Sequence, residues 1–243
     1  MRKLLVLAVA AAGSIGAAPA DSLLGITLVQ NKTGASLSAP MQILLLLTAL
    51  TLLPAILMAL TPFLRVVVVL HFLRQALGTQ TAPSNQVLVA LALFLALIVV
   101  QPVAIQVYHQ GWEPMEAGQI SASQAWDQAS VPIKTFLLKY AREKDIQLFL
   151  ELSHSPAPAT PADVPLSALA PAYVLSELKA AFQIGAVLFL PFLIIDLVVA
   201  SVTLSVGMVQ LPPVMISAPF KILLFVLVDG WNLVVGSLVR SFN

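Results

Sequence analysis

The stretch IGAVLFLPFLIIDLVVASVTLSV, at residues 184–206, is apolar along almost its whole length but contains the carboxylate of Asp196. The last apolar stretch, VMISAPFKILLFVLVDGWNLVVGSLV at residues 214–239, contains Lys221 and Asp229. Both are long enough to cross a membrane as helices, and a charge near the centre of such a helix costs about 2.5–3.5 kcal/mol. We therefore expect these three side chains to be buried against the protein's own helices or against partner subunits.

The composition of the whole chain supports the same fold class. Hydrophobic residues make up 59% of the 243 residues and charged residues only 9%, whereas soluble domains carry about 25% charged residues. The chain is therefore predicted to be an all-α membrane protein. Its net charge of +1, without a run of Lys or Arg, gives no basic surface for nucleic acid. The lack of cysteine excludes disulfides, thiolate metal sites and cysteine nucleophiles.

The first twenty residues have the pattern of a secretory signal peptide. Arg2 and Lys3 precede a short apolar core, and an A-x-A cleavage pattern ends at Ala20. The apolar core is about half the length that a membrane span needs. We predict cleavage after Ala20. An uncleaved anchor is the alternative, because Pro19 is an imperfect residue at such a site.

Four long apolar runs, the first two of them uncharged, predict four membrane spans, since each can cross about 30 Å of hydrocarbon at about 1.5 Å per residue. Pro54 and Pro62 are expected to bend the first of them. The spans lie at residues 41–64, 87–107, 184–206 and 214–239.

These spans suggest a domain organisation and an orientation. The short loop after the first span contains Arg65, His71 and Arg74 without an acidic residue, so the positive-inside rule predicts that it is cytoplasmic. The predicted regions are a signal peptide at 1–20, a periplasmic N-terminal segment at 21–40, a first apolar helical hairpin at 41–107, a periplasmic helical segment with a Pro-rich linker at 108–177, and a second apolar helical hairpin at 178–243.

The periplasmic segment contains local helix signals. Ser121 and Gln124 have the spacing of a capping box, which predicts the start of a short helix. Pro132 suits the first turn of a second helix. The run HSPAPATPADVP, at residues 154–165, is too rich in proline to continue a helix and is predicted to be a linker.

Enzyme motifs are absent from the sequence. There is no GxxxxGK[ST] phosphate-binding loop, no HExxH and no GxSxG, and the three histidines (His71, His109 and His154) are scattered. Asp196 and Asp229 are candidates for an intramembrane carboxylate dyad, but Lys221 is a better partner for either of them. We therefore predict a protein that is not an enzyme and that needs no cofactor.

The spacing of the charged residues favours an ion pair across the second hairpin. If the chain turns near Gln210, Asp196 and Lys221 lie about 21 Å and about 17 Å from the turn, so their side chains can meet. Lys221, Phe225 and Asp229 follow at steps of four and are expected to share one side of the last helix. The pairs either fix the packing of helices, within one copy or between copies, or form a proton relay or an ion site. Glu177, near the outer end of the third span, is a further candidate partner.

The loop of this hairpin is a second candidate site. Gly207, Pro212 and Pro213 end the helices on both sides, and Met208 and Met215 are flexible, polarisable side chains. Methionines around a pore can adapt to an irregular cargo and close behind it. The alternative is a short loop whose methionines only pack.

Three stretches of the chain, at residues 61–95, 171–202 and 211–239, closely resemble the FliP family of flagellar biosynthesis proteins, which is related to a subunit of virulence secretion systems. The resemblance implies a core subunit of the flagellar type III export gate in the bacterial inner membrane, at the flagellar basal body. It implies helical hairpins that assemble into an oligomeric gate, a pentamer of this chain with FliQ and FliR. Other export apparatus proteins are implied partners, and unfolded flagellar subunits are the implied cargo.

The resemblance has consequences for the sites. Family members place their hairpins partly above the membrane plane, and the charged residues Glu177, Asp196, Lys221 and Asp229 then lie on faces between subunits. The family's hairpin loop commonly carries a run of methionines at the pore constriction. Here only Met208 matches, so Val209 and Gln210 are expected to share the closure.

Two other functions stay open from the residues. A proton or small-ion channel or transporter would use Asp196, Lys221 and Asp229. An accessory scaffold for basal-body assembly would explain the resemblance but not the extent of the apolar helices. The absence of a nucleotide site implies that, in an export gate, the energy comes from other components.

Overall fold

The computed structural model describes residues 39–79, 81–156, 158–207 and 212–242. Every regular element in these ranges is helical, and several helices are long and apolar, which confirms the predicted all-α membrane fold. The chain divides into two compact units, Met1–Leu52 and Leu53–Asn243, with the boundary inside the first described helix. The predicted signal peptide at 1–20, its cleavage residue Ala20 and most of the segment at 21–40 lie outside the described residues.

The α-helices are numbered here in chain order. A π-helical turn (Tyr108–Trp112) joins α3 to α4, and a 3₁₀ turn (Pro161–Asp163) precedes α7. The helices are α1 (Ala39–Ala59), α2 (Phe63–Ala76), α3 (Asn85–Val107), α4 (Glu113–Glu116), α5 (Ala122–Tyr140), α6 (Glu143–Leu152), α7 (Leu166–Ser205), α8 (Pro213–Leu227) and α9 (Gly230–Arg240).

The part of α1 that belongs to the first unit, residues 39–52, has no charged side chain. Its hydroxyl groups donate back to the helix: Thr48 Oγ1 to the Leu44 carbonyl at 2.8 Å, and Thr51 Oγ1 to the Thr48 carbonyl at 2.9 Å. Polar groups that are satisfied within their own helix suit an apolar environment.

Three described helical stretches are long and apolar enough to cross a membrane: Pro40–Ala59, Asn85–Glu116 and Leu166–Ser205. The predicted first span therefore ends at Ala59, five residues before its predicted end. Pro62 precedes the next helix and does not bend the first one. The third predicted span is the C-terminal half of α7, whose 40 residues extend for about 60 Å.

The core of the second unit is built around α2, which was predicted to be a loop. Its sequence FLRVVVVLHFLRQA buries a stripe at helical spacing that includes Val66, Val69, Leu70 and Leu73. These side chains pack with apolar residues of α3 and α7. The positive charges of this segment suggested an exposed cytoplasmic loop. The apolar stripe between those charges instead makes the segment a helix that packs into the core.

Helices α2 and α7 run in the same direction along each other. Arg65 contacts Glu177 near the start of α2, and the ring of Phe72 packs edge-on against Phe182 further along both helices, with ring centroids 5.3 Å apart. The approach is close because α7 has Gly185 here. A Cβ atom at Gly185 would lie 2.5 Å from Cδ2 of Phe72.

The main helices of the segment between the two hairpins are α5 and α6. The capping box that begins α5 is present: Ser121 Oγ accepts from the Gln124 backbone N–H at 3.4 Å, and the Gln124 side chain accepts from the Ser121 N–H at 2.9 Å. Pro132 does not begin a second helix. It lies inside α5, which continues through it to Tyr140. Between α6 and α7, the described part of the predicted linker contains turns and the short 3₁₀ segment.

The fourth predicted span is not one straight helix. Helices α8 and α9 meet at an angle of 66°. Asp229 lies at the break in a left-handed conformation with φ 50° and ψ 51°. Lys221 and Asp229 therefore do not share one side of a single helix, as the spacing had predicted. The Asp-Gly pair at residues 229–230 explains the break, because Asp tolerates this conformation better than most residues do.

Candidate functional site

Three of the four ion pairs in the described ranges have one member on α7. They join Glu177 to Arg65, Lys179 to Asp145, and Asp196 to Lys221. The fourth, between His109 and Glu113, lies on the surface. Helix α7 therefore contributes one residue to each of these three ion pairs.

The pair between Arg65 and Glu177 is the most enclosed. Arg65 Nε donates to Glu177 Oε2 at 2.7 Å and Nη2 donates to Oε1 at 2.5 Å, which is a bidentate contact. The two side chains are 8% and 0% exposed. Nη1 of Arg65 also donates to Ser241 Oγ at 3.1 Å and to the Ser241 carbonyl at 3.4 Å. One guanidinium group thus connects α2, α7 and the C-terminal residues.

Aromatic rings close this cluster. The guanidinium carbon of Arg65 lies 3.9 Å from the ring centroid of Phe242, where cation–π attraction adds to the ion pair. Tyr140, at the end of α5, packs edge-on against Phe242 at 5.3 Å and donates its hydroxyl hydrogen to the Phe242 carbonyl. Sequence reasoning missed Arg65, Ser241 and Phe242 as parts of this site.

The contact between Arg65 and Glu177 corrects the predicted orientation. Arg65 was placed in a cytoplasmic loop and Glu177 at the periplasmic end of the third span. Side chains that touch cannot lie on opposite sides of about 30 Å of hydrocarbon. Arg65 therefore lies at the same depth relative to the membrane as Glu177. The predicted topology, which placed α2 in a cytoplasmic loop after the first crossing, is wrong for this helix.

The second cluster joins α6 to α7 through Asp145, which is 2% exposed. Lys179 forms an ion pair with Asp145 Oδ1, and Ser176 Oγ donates to Oδ2 at 2.8 Å. Ser176 Oγ also accepts from the Arg142 backbone N–H at 2.9 Å. Burial alone would raise the pKa of Asp145. The hydrogen bonds from Lys179 and Ser176, with the charges of Lys179 and Arg142, outweigh burial and lower this pKa below its ordinary value.

The third cluster lies between α7 and α8. Lys221 Nζ lies 2.6 Å from Asp196 Oδ2, and Ser217 Oγ donates to Asp196 Oδ1 at 2.5 Å. The lysine side chain is 2% exposed and the aspartate side chain 22% exposed. The structure therefore brings Asp196 and Lys221 together within one chain.

The other two candidate residues do not join this pair. Glu177 is bound by Arg65 and has no contact with Lys221. Asp229 is exposed at the break between α8 and α9, and its carboxylate has no hydrogen bond or ion pair with any described residue. It is a carboxylate that no described residue pairs, in a segment whose other charged residue, Lys221, is paired with Asp196.

The second candidate site was the loop between α7 and α8. The predicted constriction residues Met208, Val209 and Gln210 lie outside the described residues. Met215, on the first turn of α8, is 73% exposed. The loop's role therefore stays a prediction.

Outside these clusters, apolar side chains cover the accessible faces of α3, α7 and α8. These exposed faces suit lipid or other subunits. The most exposed of them include Phe94 on α3, Val187, Ile194 and Leu197 on α7, and Met215, Val226 and Leu227 on α8.

The geometry limits the chemistry of the described residues. No group of three or more His, Asp or Glu side chains within these ranges could hold a metal ion. The charged side chains of Glu177, Lys179 and Asp196 on α7 are neutralised by ion pairs, and Asp196 also accepts a hydrogen bond from a hydroxyl group. None of the three is therefore a free acid or base. The arrangement therefore serves packing and assembly better than catalysis.

These features define a helical membrane protein with several candidate spans, internally paired charges and apolar faces open to its surroundings. The sequence model of the FliP family matches residues 46–238. The chain is 51% identical over 209 residues to a flagellar biosynthetic protein FliP of Pectobacterium carotovorum subsp. carotovorum, covering 86% of this chain and 81% of the relative.

Two further relatives with the same name support this match. One from Bacillus subtilis (strain 168) is 49% identical over 85% of this chain and 94% of its own length. One from Caulobacter vibrioides is 48% identical over 97% of this chain and 88% of its own length. The chain belongs to the FliP family. The resemblance that the sequence suggested is confirmed.

Proposed function

We propose that this protein is a core subunit of the flagellar type III protein export gate, and that it forms with FliQ and FliR the channel through which unfolded flagellar proteins are secreted. The observation that carries this proposal is the match to the FliP family over residues 46–238, with relatives that are named flagellar biosynthetic proteins. The gate would lie in the bacterial inner membrane, at the flagellar basal body. The protein would act as a passive conduit and not as an enzyme.

Two structural observations support a subunit role. The pair of Asp196 and Lys221 is neutralised within one chain, so the hairpin of α7 and α8 can pack against a neighbour without an unpaired charge at this point. The apolar faces of α3, α7 and α8 are open, which suits contacts with further copies, with FliQ and FliR, or with lipid. A homo-oligomer, a pentamer in this proposal, would cover part of these faces.

The test is to express the full chain with and without FliQ and FliR and to measure the mass and subunit content of the detergent-extracted complex. The proposal predicts a complex with several copies of this chain and both partners. It also predicts that cells lacking the chain lose secretion of flagellar proteins and regain it with the intact gene. A stable monomer that ignores both partners would overturn the proposal.

Met208, Val209 and Gln210 are proposed to line the constriction of this channel. If they do, Met208→Ala widens the closed pore and raises the leak of small ions through the assembled gate. Conductance measured across a bilayer that contains the complex tests this. The Met115→Ala variant, on α4 and outside the hairpin, is the control. Unchanged conductance in Met208→Ala would remove Met208 from the constriction.

The N-terminal regions need a separate test. Residues 1–20 are proposed to be a signal peptide that is removed after Ala20, which leaves the segment at 21–40 in the periplasm. N-terminal sequencing of the membrane-extracted protein would then begin at Asp21. A chain that begins at Met1 would show an uncleaved anchor instead.

A proton or small-ion channel is the second candidate function, and Asp229 favours it. An exposed carboxylate at a helix break within an apolar segment is a typical feature of ion pathways. A channel of this kind would conduct when the chain is reconstituted alone, and Asp229→Asn would abolish the flux. An export-gate subunit would form no ion pathway without its partners.

A further inference from the structure

A cavity lies at the C-terminal end of α2, where it meets the first turn of α8. Its volume is about 460 Å³, within the range of small-ligand sites, and it is open to the outside. The cavity is separate from the three charge clusters of α7. It is lined by His71, Arg74, Gln75, Gly78, Thr79 and Val214.

Arg74 places a positive charge in this cavity, and no described carboxylate forms an ion pair with it. Its Nη1 donates to Asn85 Oδ1 at 2.6 Å and to the Pro83 carbonyl at 3.3 Å, and its Nη2 lies 3.1 Å from His71 Nδ1. All three partners are uncharged. The Nε–H group has no hydrogen-bond partner among the described residues. No Asp or Glu occurs in the sequence from residue 39 to residue 112.

His71 adds a second donor. Burial, and then the charge of Arg74, lower the pKa of His71, so the ring is neutral near neutral pH. Because Nδ1 faces the guanidinium group, Nδ1 is the acceptor and Nε2 carries the hydrogen. The cavity therefore offers a guanidinium group and an imidazole N–H to an anion.

The carboxylate on the adjacent hairpin does not compete for these donors. Asp196 is held by Lys221 and Ser217. The anion that Arg74 can bind must therefore come from outside the described residues of this chain.

The surroundings indicate where such an anion would come from. Val214 and Met215, on the first turn of α8, are 51% and 73% exposed, and Val87, near the start of α3, is 55% exposed. Arg74 contacts Asn85, which begins α3, so apolar surfaces of membrane-length segments start on either side of the basic group. A charged site with apolar surfaces beside it matches the two parts of a phospholipid.

We propose that this cavity binds the phosphate of an anionic phospholipid, with the phosphate oxygens at Arg74 and His71 and the acyl chains along the exposed apolar faces of α8 and α3. Basic pockets between membrane helices are known to hold anionic headgroups. A freely diffusing phosphate would use the same donors but would gain nothing from the apolar faces. The lipid is therefore the occupant that the whole site fits.

The experiment uses the full chain, extracted in detergent and stripped of lipid. Phosphatidylglycerol, cardiolipin, phosphatidylcholine and inorganic phosphate are added separately, and retained lipid is measured by native mass spectrometry alongside the thermal unfolding curve. The two anionic lipids should be retained and should raise the unfolding temperature, whereas phosphatidylcholine and phosphate should do neither. Equal effects of phosphatidylcholine would overturn the proposal, and equal effects of phosphate would reassign the cavity to a free anion.

Three variants localise the effect. Arg74→Gln should weaken retention of the anionic lipids by about 10- to 100-fold, because charge-assisted hydrogen bonds are lost. Val214→Trp, which fills the cavity without changing charge, should also weaken retention, and it carries the test if Arg74→Gln fails to fold. Lys144→Gln is the matched control, since Lys144 is exposed on α6 and has no ion pair among the described residues.

The proposal requires Lys144→Gln to bind like the unmodified chain. If Lys144→Gln loses as much lipid as Arg74→Gln, retention depends on net charge only and the cavity is not a site. Retention that is unchanged in Val214→Trp would likewise show that lipid binds elsewhere.

Discussion

Helix α7 carries two buried ion pairs that differ in what surrounds them. Glu177, in its N-terminal half, is fully enclosed and bound by Arg65, and rings and backbone from α5 and the C-terminal residues complete the site. Asp196 lies about 28 Å further along the helix and is 22% exposed, with partners only from α8. The first pair connects four parts of the chain, and the second connects the two arms of one hairpin.

The difference shows how one helix divides its roles. Around Glu177 the chain builds its own enclosed polar site, and this half of α7 folds against α2, α5 and α6. Around Asp196 the described residues supply Lys221 and Ser217 as polar partners, and strongly exposed apolar side chains such as Ile194 and Leu197 lie on both sides. The first half is enclosed by other helices of this chain, whereas the second half packs against the core with one side and exposes apolar side chains, which suit lipid or other subunits, on the other.

The largest effect is expected from breaking the enclosed pair. Glu177→Gln leaves the guanidinium group of Arg65 buried without its anion, which costs about 3–5 kcal/mol of folding free energy. Thermal unfolding of the detergent-extracted protein measures this loss. The double variant Arg65→Leu with Glu177→Leu is the control, since it removes both charges and should recover much of the stability. A Glu177→Gln protein as stable as the parent would contradict the conclusion that this enclosed pair stabilises the fold more than the hairpin pair does.

A smaller loss is expected from the hairpin pair. Lys221→Met leaves Asp196 with Ser217 and partial access to its surroundings, so the loss should be about 1–3 kcal/mol. Exchanging the charges, with Asp196→Lys and Lys221→Glu together, should restore part of what either single change removes. Thermal unfolding of Asp196→Lys, of Lys221→Glu and of the double variant measures this coupling. If the double variant is no more stable than either single one, the two side chains are not coupled.

The contact between α6 and α7 should depend on pH. The pKa of Asp145 is lowered in the folded protein, so the stability that its charge contributes is present above its ordinary pKa of about 3.9 and is lost as pH falls through the folded value. Asp145→Asn should therefore be less stable than the parent by about 1 kcal/mol near pH 7. That difference should shrink toward about pH 3. A difference that stays constant over this range would exclude the charge of Asp145 as its cause.

The smallest effect on folding is expected at Asp229. Asn tolerates the left-handed conformation as Asp does, and the carboxylate has no partner among the described residues, so Asp229→Asn should change the unfolding free energy by less than about 0.5 kcal/mol. Unfolding of the purified chain measures this. A loss as large as that of Lys221→Met would reveal a contact within the chain. Assembly with FliQ and FliR, measured in parallel, shows whether the carboxylate is used between subunits.

The apolar runs and the local caps could be predicted from the sequence. The helices at Ala39–Ala59, Asn85–Val107 and Leu166–Ser205 cover most of three predicted spans, and the capping box of Ser121 begins α5. These features depend on residues that are close together in the chain. Long apolar runs and cap spacings can therefore be read without knowing what packs against them.

The features that sequence reasoning missed depend on contacts between distant residues or on backbone conformation. Arg65 shares a helical face with Val69 and Leu73, and this stripe indicates burial, but the charge count favoured an exposed loop. Asp229 precedes Gly230, a turn dipeptide inside an apolar run, and hydropathy does not register such a break. The pairing of Arg65 with Glu177 spans more than a hundred positions, which no local pattern reveals.

The length of α7 has a consequence for how the protein responds to its bilayer. At about 60 Å the helix is twice as long as the hydrocarbon layer is thick, so only its apolar C-terminal half can be immersed. Hydrophobic mismatch then acts on that half alone, where tilt can absorb it. A membrane with longer or shorter acyl chains would reorient the hairpin and leave the packing around Glu177 unchanged.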